Sequence, residues 1–297
     1  MSVSQAGLLA DITAWLEQEP RVKSAVLFGS SARAPEGAAK SAARRADLDL
    51  HLVTPVPAEL ERVEWAKAVP GQAFRHQAVR PATGGVRKAT VLFAAGEIDL
   101  VLVPEEPFRL VSRALELGRH REDPQLMVAL NEVATLLHSG YRFLKGEPEW
   151  GACYKRIATE MPGVRLGDAE AKVLADIFLC DLLWVLQKID RGELAAAQHL
   201  LHRSLAETNF RYVRELRLRR GEPLLSFGLG RKVEAILPPE ELAWVQVSAR
   251  LEADELRRAA QASFNGMQAL MTKLVPAWRV PDGAKALIVE CGLRVAD

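Results

Sequence analysis

The segment Asp47-Leu48-Asp49-Leu50 contains two acids whose spacing could do chemistry. In a β-strand successive side chains point to opposite faces, so both aspartates would share one face and both leucines the other. Two carboxylates side by side form a hard-oxygen site of the kind that Mg²⁺ binds. The pattern therefore predicts a divalent-metal site on one face of a strand.

A third acid, Asp99, lies in a similar segment, Glu97-Ile98-Asp99-Leu100. If the two segments form neighbouring strands, Asp99 completes the site and Glu97 shares its face. Two metal ions about 3.5–4 Å apart can activate an attacking oxygen and stabilise a leaving pyrophosphate. Taken singly, either segment is equally typical of an amphipathic edge strand with solvated acids. The two together, in this order, favour phosphoryl-type transfer with Asp47, Asp49 and Asp99 as metal ligands.

Gly29 and Ser30 follow the apolar run Ser24 to Phe28. A strand that ends in glycine and serine before a helical turn exposes backbone N–H groups and a hydroxyl where the chain can approach phosphate closely. The segment therefore predicts a turn that binds a triphosphate.

The spacing of apolar side chains predicts the elements that position these residues. The N-terminal part reads as a helix from Gln5 to Glu17, a second helix from Ala58 to Ala68, and short strands. Four strands are predicted at 24–28, 47–53, 88–93 and 97–103, with a weaker one at 74–79. The glycine-rich and alanine-rich segment Ala34 to Arg45 is expected to be a mobile loop.

Beyond Pro107 the period changes to that of helices. Helices are predicted at 126–144, 169–189, 194–219 and 240–274, with breaks where Gly and Pro cluster at 146–151, 162–168 and 221–230. The fold class expected is an α/β N-terminal domain, a mixed sheet flanked by helices, plus an all-α C-terminal helical domain. The domains are expected to span 1–107 and 108–297.

The motifs of the first domain also carry a resemblance to a known family, which implies a nucleotidyltransferase domain. Hydrophobic-Gly-Ser in AVLFGSSAR, Asp-x-Asp in ADLDLHLV and a third acid in GEIDLVLVP together resemble the signature of the polymerase beta superfamily of nucleotidyltransferases. Within it, TVLFAAGEIDLVLVP is similar to the third strand of bacterial aminoglycoside 6-adenylyltransferases, which modify streptomycin. The stretch CDLLWVLQKIDRGELAAAQHLLHR resembles a helical segment of the same group, with Cys180-Asp181 in place of its Asn-Glu.

The resemblance implies transfer of AMP from ATP, with Mg²⁺ as cofactor and nucleotide bound between the two domains. It implies phosphate binding by Gly29, Ser30, Ser31 and Arg33. It also implies a hydroxyl of an aminoglycoside as the acceptor. Two alternatives stay open: a protein side chain or an RNA end as the acceptor, or a nucleotide-binding module that has lost turnover.

Asp181 interrupts the apolar helical run FLCDLLWVL. A carboxylate there can take the proton of the acceptor hydroxyl or bind a cationic acceptor. An ion pair with an arginine of a neighbouring helix is an equal alternative. His51 shares the strand face of Asp47 and Asp49 and is a weaker candidate to line the site.

Other residues favour structural interpretations. His199 and His202 lie on one helix face without a third ligand and are expected at the surface or in the core. Trp184 is expected in the core. The arginines at 211, 214, 217, 219 and 220 could bind polyphosphate, but Glu207 and Glu215 alternate with them and favour a salt-bridged helix face.

Composition narrows the class of protein. The 297 residues include 39 basic and 38 acidic ones, so a net charge of +1 offers no general attraction for long nucleic acid or an anionic membrane. Three separated cysteines form no disulfide framework, no stretch reaches the roughly 18 apolar residues of a membrane span, and the N-terminus has no export signal. A cytoplasmic enzyme, monomeric or homodimeric, is expected.

Overall fold

A computed structural model of the chain describes residues 5–32, 46–222, 225 and 233–295. The chain forms two compact units, Met1–Val164 and Arg165–Asp297. The sequence predicts a boundary near 107 instead. The first unit extends further because a strand and helices beyond Pro107 pack on the same sheet.

In its described part, the first unit contains one mixed sheet of six strands in the order β3-β4-β5-β2-β1-β6. Strands β2 and β5 run parallel, and every other neighbouring pair is antiparallel. All the strands that the sequence predicts are present. The strands are β1 (Ser24–Phe28), β2 (Ala46–Thr54), β3 (Phe74–Pro81), β4 (Arg87–Phe93), β5 (Gly96–Pro104) and β6 (Tyr141–Lys145).

Helices cover both faces of this sheet. Successive side chains of a strand point to opposite faces, so the strands present apolar side chains to both helical layers. Leu48, Leu50 and Leu52 lie in the core beneath α1 (Gln5–Gln18), α2 (Pro57–Leu60) and α3 (Glu64–Lys67). On the opposite face Val53 and Val103 pack with α4 (Glu105–Glu116), α5 (Pro124–His138) and α6 (Glu147–Glu160).

The helix predicted at 126–144 is wrong in its last third. Helix α5 ends at His138, and Tyr141 to Lys145 form β6, which pairs with β1. Gly140 and Gly146, with φ angles of 100° and 78°, bracket this strand in conformations that other residues rarely adopt. Gly146 also permits close packing, because a Cβ there would lie 2.2 Å from the Lys23 carbonyl oxygen. The predicted break at 146–151 is therefore limited to Gly146, because β6 ends at Lys145 and α6 begins at Glu147.

Each regular element that the structure describes in the second unit is helical. The predicted helix 194–219 is observed as α8, a π-helical segment at Leu201–Ala206, and α9. The predicted helices 240–274 and 58–68 are each two helices, because 246–252 and 61–63 interrupt them. The helices are α7 (Asp168–Asp190), α8 (Leu194–Leu200), α9 (Glu207–Arg219), α10 (Val233–Ile236), α11 (Pro239–Val245), α12 (Ala253–Leu274) and α13 (Asp282–Glu290).

A search for membrane-spanning helices among the described residues finds none with the required length and apolar character. Cys153, Cys180 and Cys291 are all free thiols.

Candidate functional site

The acids of β2 and β5 lie next to each other because the two strands pair in parallel register. Asp49 is opposite Asp99, and Asp47 is opposite Glu97. Side chains at paired positions of neighbouring strands share a face of the sheet and lie close together. The sheet therefore brings Asp49 and Asp99 together, as the sequence predicts. Asp47 belongs to β2 by its backbone, while its side chain lies outside the described part of the chain.

The Gly29 turn lies at the same edge of the sheet. Strand β1 ends at Phe28, which is opposite Asp49, and Gly29 to Ser31 then form one turn of 3-10 helix. Gly29 has a φ of 73°, and a Cβ added to it would meet no atom of the described residues within 4 Å, so these residues leave its backbone open to a ligand.

Backbone hydrogen bonds fix this turn. The Gly29 N–H donates to the Gly140 carbonyl at 2.9 Å, and the Ala32 N–H donates to the Gly29 carbonyl at 3.1 Å. Ser31 is half-buried here. The side chain of Ser30 and the whole of Arg33 lie outside the described residues, as does the loop predicted at 34–45.

Asp99 is held by three polar side chains that the sequence interpretation missed. Its Oδ1 accepts a 2.5 Å hydrogen bond from the Thr90 hydroxyl. Its Oδ2 forms an ion pair with the Lys88 ammonium and lies 3.8 Å from the Arg80 guanidinium. The alternation of Lys88 and Thr90 in KATVLF indicates that they share a face of β4. Only the register of β4 against β5 reveals that this face is the one with Asp99.

Asp49 has different surroundings. Its side chain is exposed, and no hydrogen bond or ion pair to it is found in the described part of the chain. The pKa of its carboxyl is nevertheless raised, chiefly because the surrounding protein removes part of its hydration, and secondarily by the charge of Asp99. Lys88 opposes this rise and Glu97 adds to it. The site thus presents an anion whose charge is incompletely compensated.

His51 shares the face of Asp49 but does not line an open site. Its ring is buried among Phe28, Phe108 and Tyr154, and its Nδ1 shares a hydrogen bond with the Tyr154 hydroxyl. Burial lowers the pKa of His51 to about 4, so the ring is uncharged at neutral pH. Its position is that of a core residue beneath α4 and α6.

The donor set suits a small divalent cation. Asp49 and Asp99 supply hard carboxylate oxygens from two rigid strands, and the raised pKa of Asp49 marks the charge that a cation would neutralise. No group of three potential ligands is found among the described side chains, which do not include Asp47. The residues that would hold a metal are therefore Asp49 and Asp99, with Asp47 as the third predicted ligand.

The remaining predicted site residue, Asp181, belongs to α7 of the second unit. It is half-buried, and no described residue forms a hydrogen bond or ion pair with it. The arginine partner that the alternative interpretation requires is therefore not found among the described residues. The prediction that Trp184 is a core residue is wrong, because 52% of its surface is exposed one helical turn away from Asp181.

The arginine-rich helix α9 forms a salt-bridged network, as the sequence favours. Glu215 is buried and accepts hydrogen bonds from Arg165 and Arg219 and from the Leu166 N–H. Burial alone would raise the pKa of Glu215, but these bonds outweigh it and lower the pKa. Glu241 similarly pairs with the arginines at 217 and 220. His199 and His202 are exposed on their helix.

Comparison with known proteins gives little guidance. No family model matches the chain, and no curated protein matches it. A similar solved structure is that of a nucleotidyltransferase-like protein from Exiguobacterium sibiricum, with 12% sequence identity and a TM-score of 0.30. The match covers 96% of this chain and 86% of that protein. Similarity at this level does not define an activity, so function has to follow from the residues of the site.

Replacing Asp49 by Asn should stabilise the metal-free protein. A carboxyl whose pKa is raised on folding lowers the free energy of unfolding as the pH rises from its unfolded-state pKa through its folded-state pKa. At pH 7 the charged form therefore costs stability. The Asp49→Asn substitution should raise the free energy of unfolding by roughly 0.5 kcal/mol only, because water and salt screen an exposed carboxylate. Urea unfolding in the presence of a chelator measures it.

Glu17→Gln is the matched control, since Glu17 is an exposed acid of α1 with no partner in the described chain. Its loss of charge should leave the unfolding midpoint unchanged. A destabilised Asp49→Asn protein, or an equal gain in both variants, would show that Asp49 is not under local electrostatic strain.

Proposed function

We propose that this protein is a Mg²⁺-dependent nucleotidyltransferase that moves AMP from ATP to a hydroxyl group of a small polar acceptor. The observation that carries this proposal is the position of Asp49 beside Asp99, on paired parallel strands, at the sheet edge where the Gly29 turn begins. Carboxylates for a metal and an open backbone turn for phosphate then lie together, which is the combination that phosphoryl-type transfer requires.

The electrostatics of the acids support a cation in this site. Triphosphate carries several negative charges and would be repelled by Asp49, Asp99 and Glu97 on the same face. Binding of nucleotide here therefore requires compensating positive charge. When bound, Mg²⁺ would supply it by neutralising phosphate oxygens and the charge that develops in the transition state.

The Gly29 turn supports phosphate binding. Its backbone is held by the bond to Gly140, while no atom of the described residues occupies the space beside the Gly29 Cα. A fixed and accessible turn of this kind can present N–H groups to anionic oxygens. Substituents larger than hydrogen at Gly29 would strain the backbone and intrude on that space.

The proposed reaction is one displacement at phosphorus. The acceptor oxygen forms a bond to the α-phosphorus of ATP, the bond from that phosphorus to the oxygen bridging to the β-phosphate breaks, and pyrophosphate leaves with that electron pair. The proton of the hydroxyl passes to a base. Lys88 and Arg80 add positive charge beside the acids, which favours retention of the polyphosphate near them.

For the acceptor, we propose an aminoglycoside, bound in part by Asp181. Ammonium groups of such a molecule are costly to remove from water without anionic partners, and Asp181 is a half-buried carboxylate without a partner in the described chain. A carboxylate in that state can bind a cation or accept the hydroxyl proton.

A second proposal keeps the same chemistry and changes the class of acceptor. A protein side chain or an RNA end would keep the metal and nucleotide residues and change only the surface around them. The net charge of +1 does not favour long RNA. A nucleotide-binding module without turnover is a third candidate, and the presence of Gly29, Asp49 and Asp99 together disfavours it.

Asp47→Asn, Asp49→Asn and Asp99→Asn should each reduce transfer at least about 100-fold, because each removes negative charge where a metal is to be held. Labelled ATP, Mg²⁺ and a panel of aminoglycosides, peptides and short RNAs measure the transfer. Excess chelator should abolish it. Glu17→Gln serves as control and should retain wild-type rates. Transfer that persists in all three aspartate variants would reject the site, and label on peptide or RNA alone would reject the aminoglycoside.

Asp181→Ala should impair binding or modification of the acceptor while leaving nucleotide binding intact. A fall in kcat would indicate that Asp181 takes the proton, and a rise confined to the KM of the acceptor would indicate cation binding. Asp190→Ala on the same helix is the control, because Asp190 is an exposed acid already paired with Arg257. Unchanged kinetics in Asp181→Ala would exclude both roles, whereas a loss of ATP affinity would point to structural damage.

A further inference from the structure

Asp99 differs from Asp49 in that protein groups already occupy both of its carboxylate oxygens. Thr90 donates to Oδ1, while Oδ2 contacts the Lys88 ammonium. Only 8% of the surface of Asp99 is exposed, and the Lys88 side chain is 24% exposed. This ion pair is thus better shielded from water than the contact to Arg80, whose side chain is 59% exposed. Of the cations near the acids, Lys88 should be bound most firmly.

The sheet itself places Lys88 against Asp99. Thr90 is directly opposite Asp99, and Lys88, two residues earlier on the antiparallel strand β4, projects from the same face as the diagonal neighbour. Arg80 is opposite Lys88 on β3 and donates to the Thr90 hydroxyl at 3.1 Å. The lysine is therefore positioned by three consecutive strands rather than by a loop.

We propose that Lys88 is a built-in cation that competes with the divalent metal for Asp99 and thereby weakens metal binding in the nucleotide-free protein. The inference rests on the proposed function, since it concerns the same metal site. It adds that the third acid is not free for a metal until the lysine moves or shares it.

The physical basis is the repulsion between two cations at one carboxylate. A metal ion bound to Asp99 with the ammonium still in contact would place two positive charges within a few ångströms of each other. Otherwise the metal must displace Lys88, whose flexible stem allows it to move to water or to another anion. Both routes subtract from the metal affinity that Asp49 and Asp99 would have alone.

Lysine at this position also sets the charge of the site. Asp49, Asp99 and Glu97 carry three negative charges on one face, and Lys88 cancels one of them without any metal. Without Lys88, the metal-free protein would have more repulsion among these three acids. Lys88 accordingly stabilises the empty site and opposes its filling.

The test is a titration of the nucleotide-free, full-length protein with Mn²⁺, in which the electron paramagnetic resonance signal reports free metal. Lys88→Met keeps an unbranched side chain one atom shorter than that of lysine and removes its charge. We expect it to bind Mn²⁺ about tenfold more tightly than wild type, which corresponds to about 1.4 kcal/mol. Lys88→Gln should change the affinity in the same direction, and urea unfolding checks that both variants fold.

Arg87→Met is the matched control. Arg87 is the preceding residue of β4, lies on the opposite face, and contacts Glu61 rather than the acids of the site. Its substitution changes the net charge equally and should leave the Mn²⁺ affinity within about twofold of wild type. Unchanged or weaker binding in Lys88→Met, or an equal gain in Arg87→Met, would overturn the proposal.

Asp49→Asn and Asp99→Asn separate the failure of this inference from failure of the proposed function. If both weaken Mn²⁺ binding while Lys88→Met does not strengthen it, the metal site stands and the role of Lys88 is rejected. If neither aspartate variant affects Mn²⁺ binding, the metal site is rejected, and the competition with it.

Discussion

The parallel pairing of β2 with β5 is the constraint on which the candidate site depends. Its register sets Asp49 beside Asp99 and Asp47 beside Glu97, so acids that repel each other are held together by backbone hydrogen bonds of two central strands. The leucines that alternate with these acids lie on the opposite face of the sheet and pack against its helices. A slip of one residue would move every acid to the core and every leucine to the acid face, which makes this register strongly preferred.

Residues outside this strand pair determine the charge at the same edge of the sheet and how accessible its acids are to a ligand. Antiparallel β1 places the Gly29 turn next to Asp49, and the carbonyl of Gly140, the residue before β6, accepts a hydrogen bond from the Gly29 N–H. On the other side, β4 places Lys88 and Thr90 in contact with Asp99. The two acids consequently differ: one is open and poorly compensated, the other enclosed and paired. In the proposed enzyme this asymmetry would make Asp49 the more accessible ligand for an incoming metal.

The acids themselves could be predicted from the sequence, because alternation within a strand is a local property. So could most strands and the helical character of residues 168–219. The position of β6 could not, since Tyr141 to Lys145 continue a helical apolar pattern and are a strand only through pairing with β1. Lys88 was missed for a related reason: its contact with Asp99 depends on register between strands, which composition does not encode. Trp184 was misassigned because apolar neighbours along a helix do not determine which side is covered.

The most direct test of the proposed metal and nucleotide site is the crystal structure of the protein with Mn²⁺ and a non-hydrolysable ATP analogue, using anomalous scattering to locate the metal. We expect an anomalous peak within about 2.2 Å of carboxylate oxygens of Asp49 and Asp99. We also expect the triphosphate to lie against the backbone of the Gly29 turn. Metal and triphosphate bound at another part of the protein, with Asp49 and Asp99 in contact with neither, would contradict the proposed site.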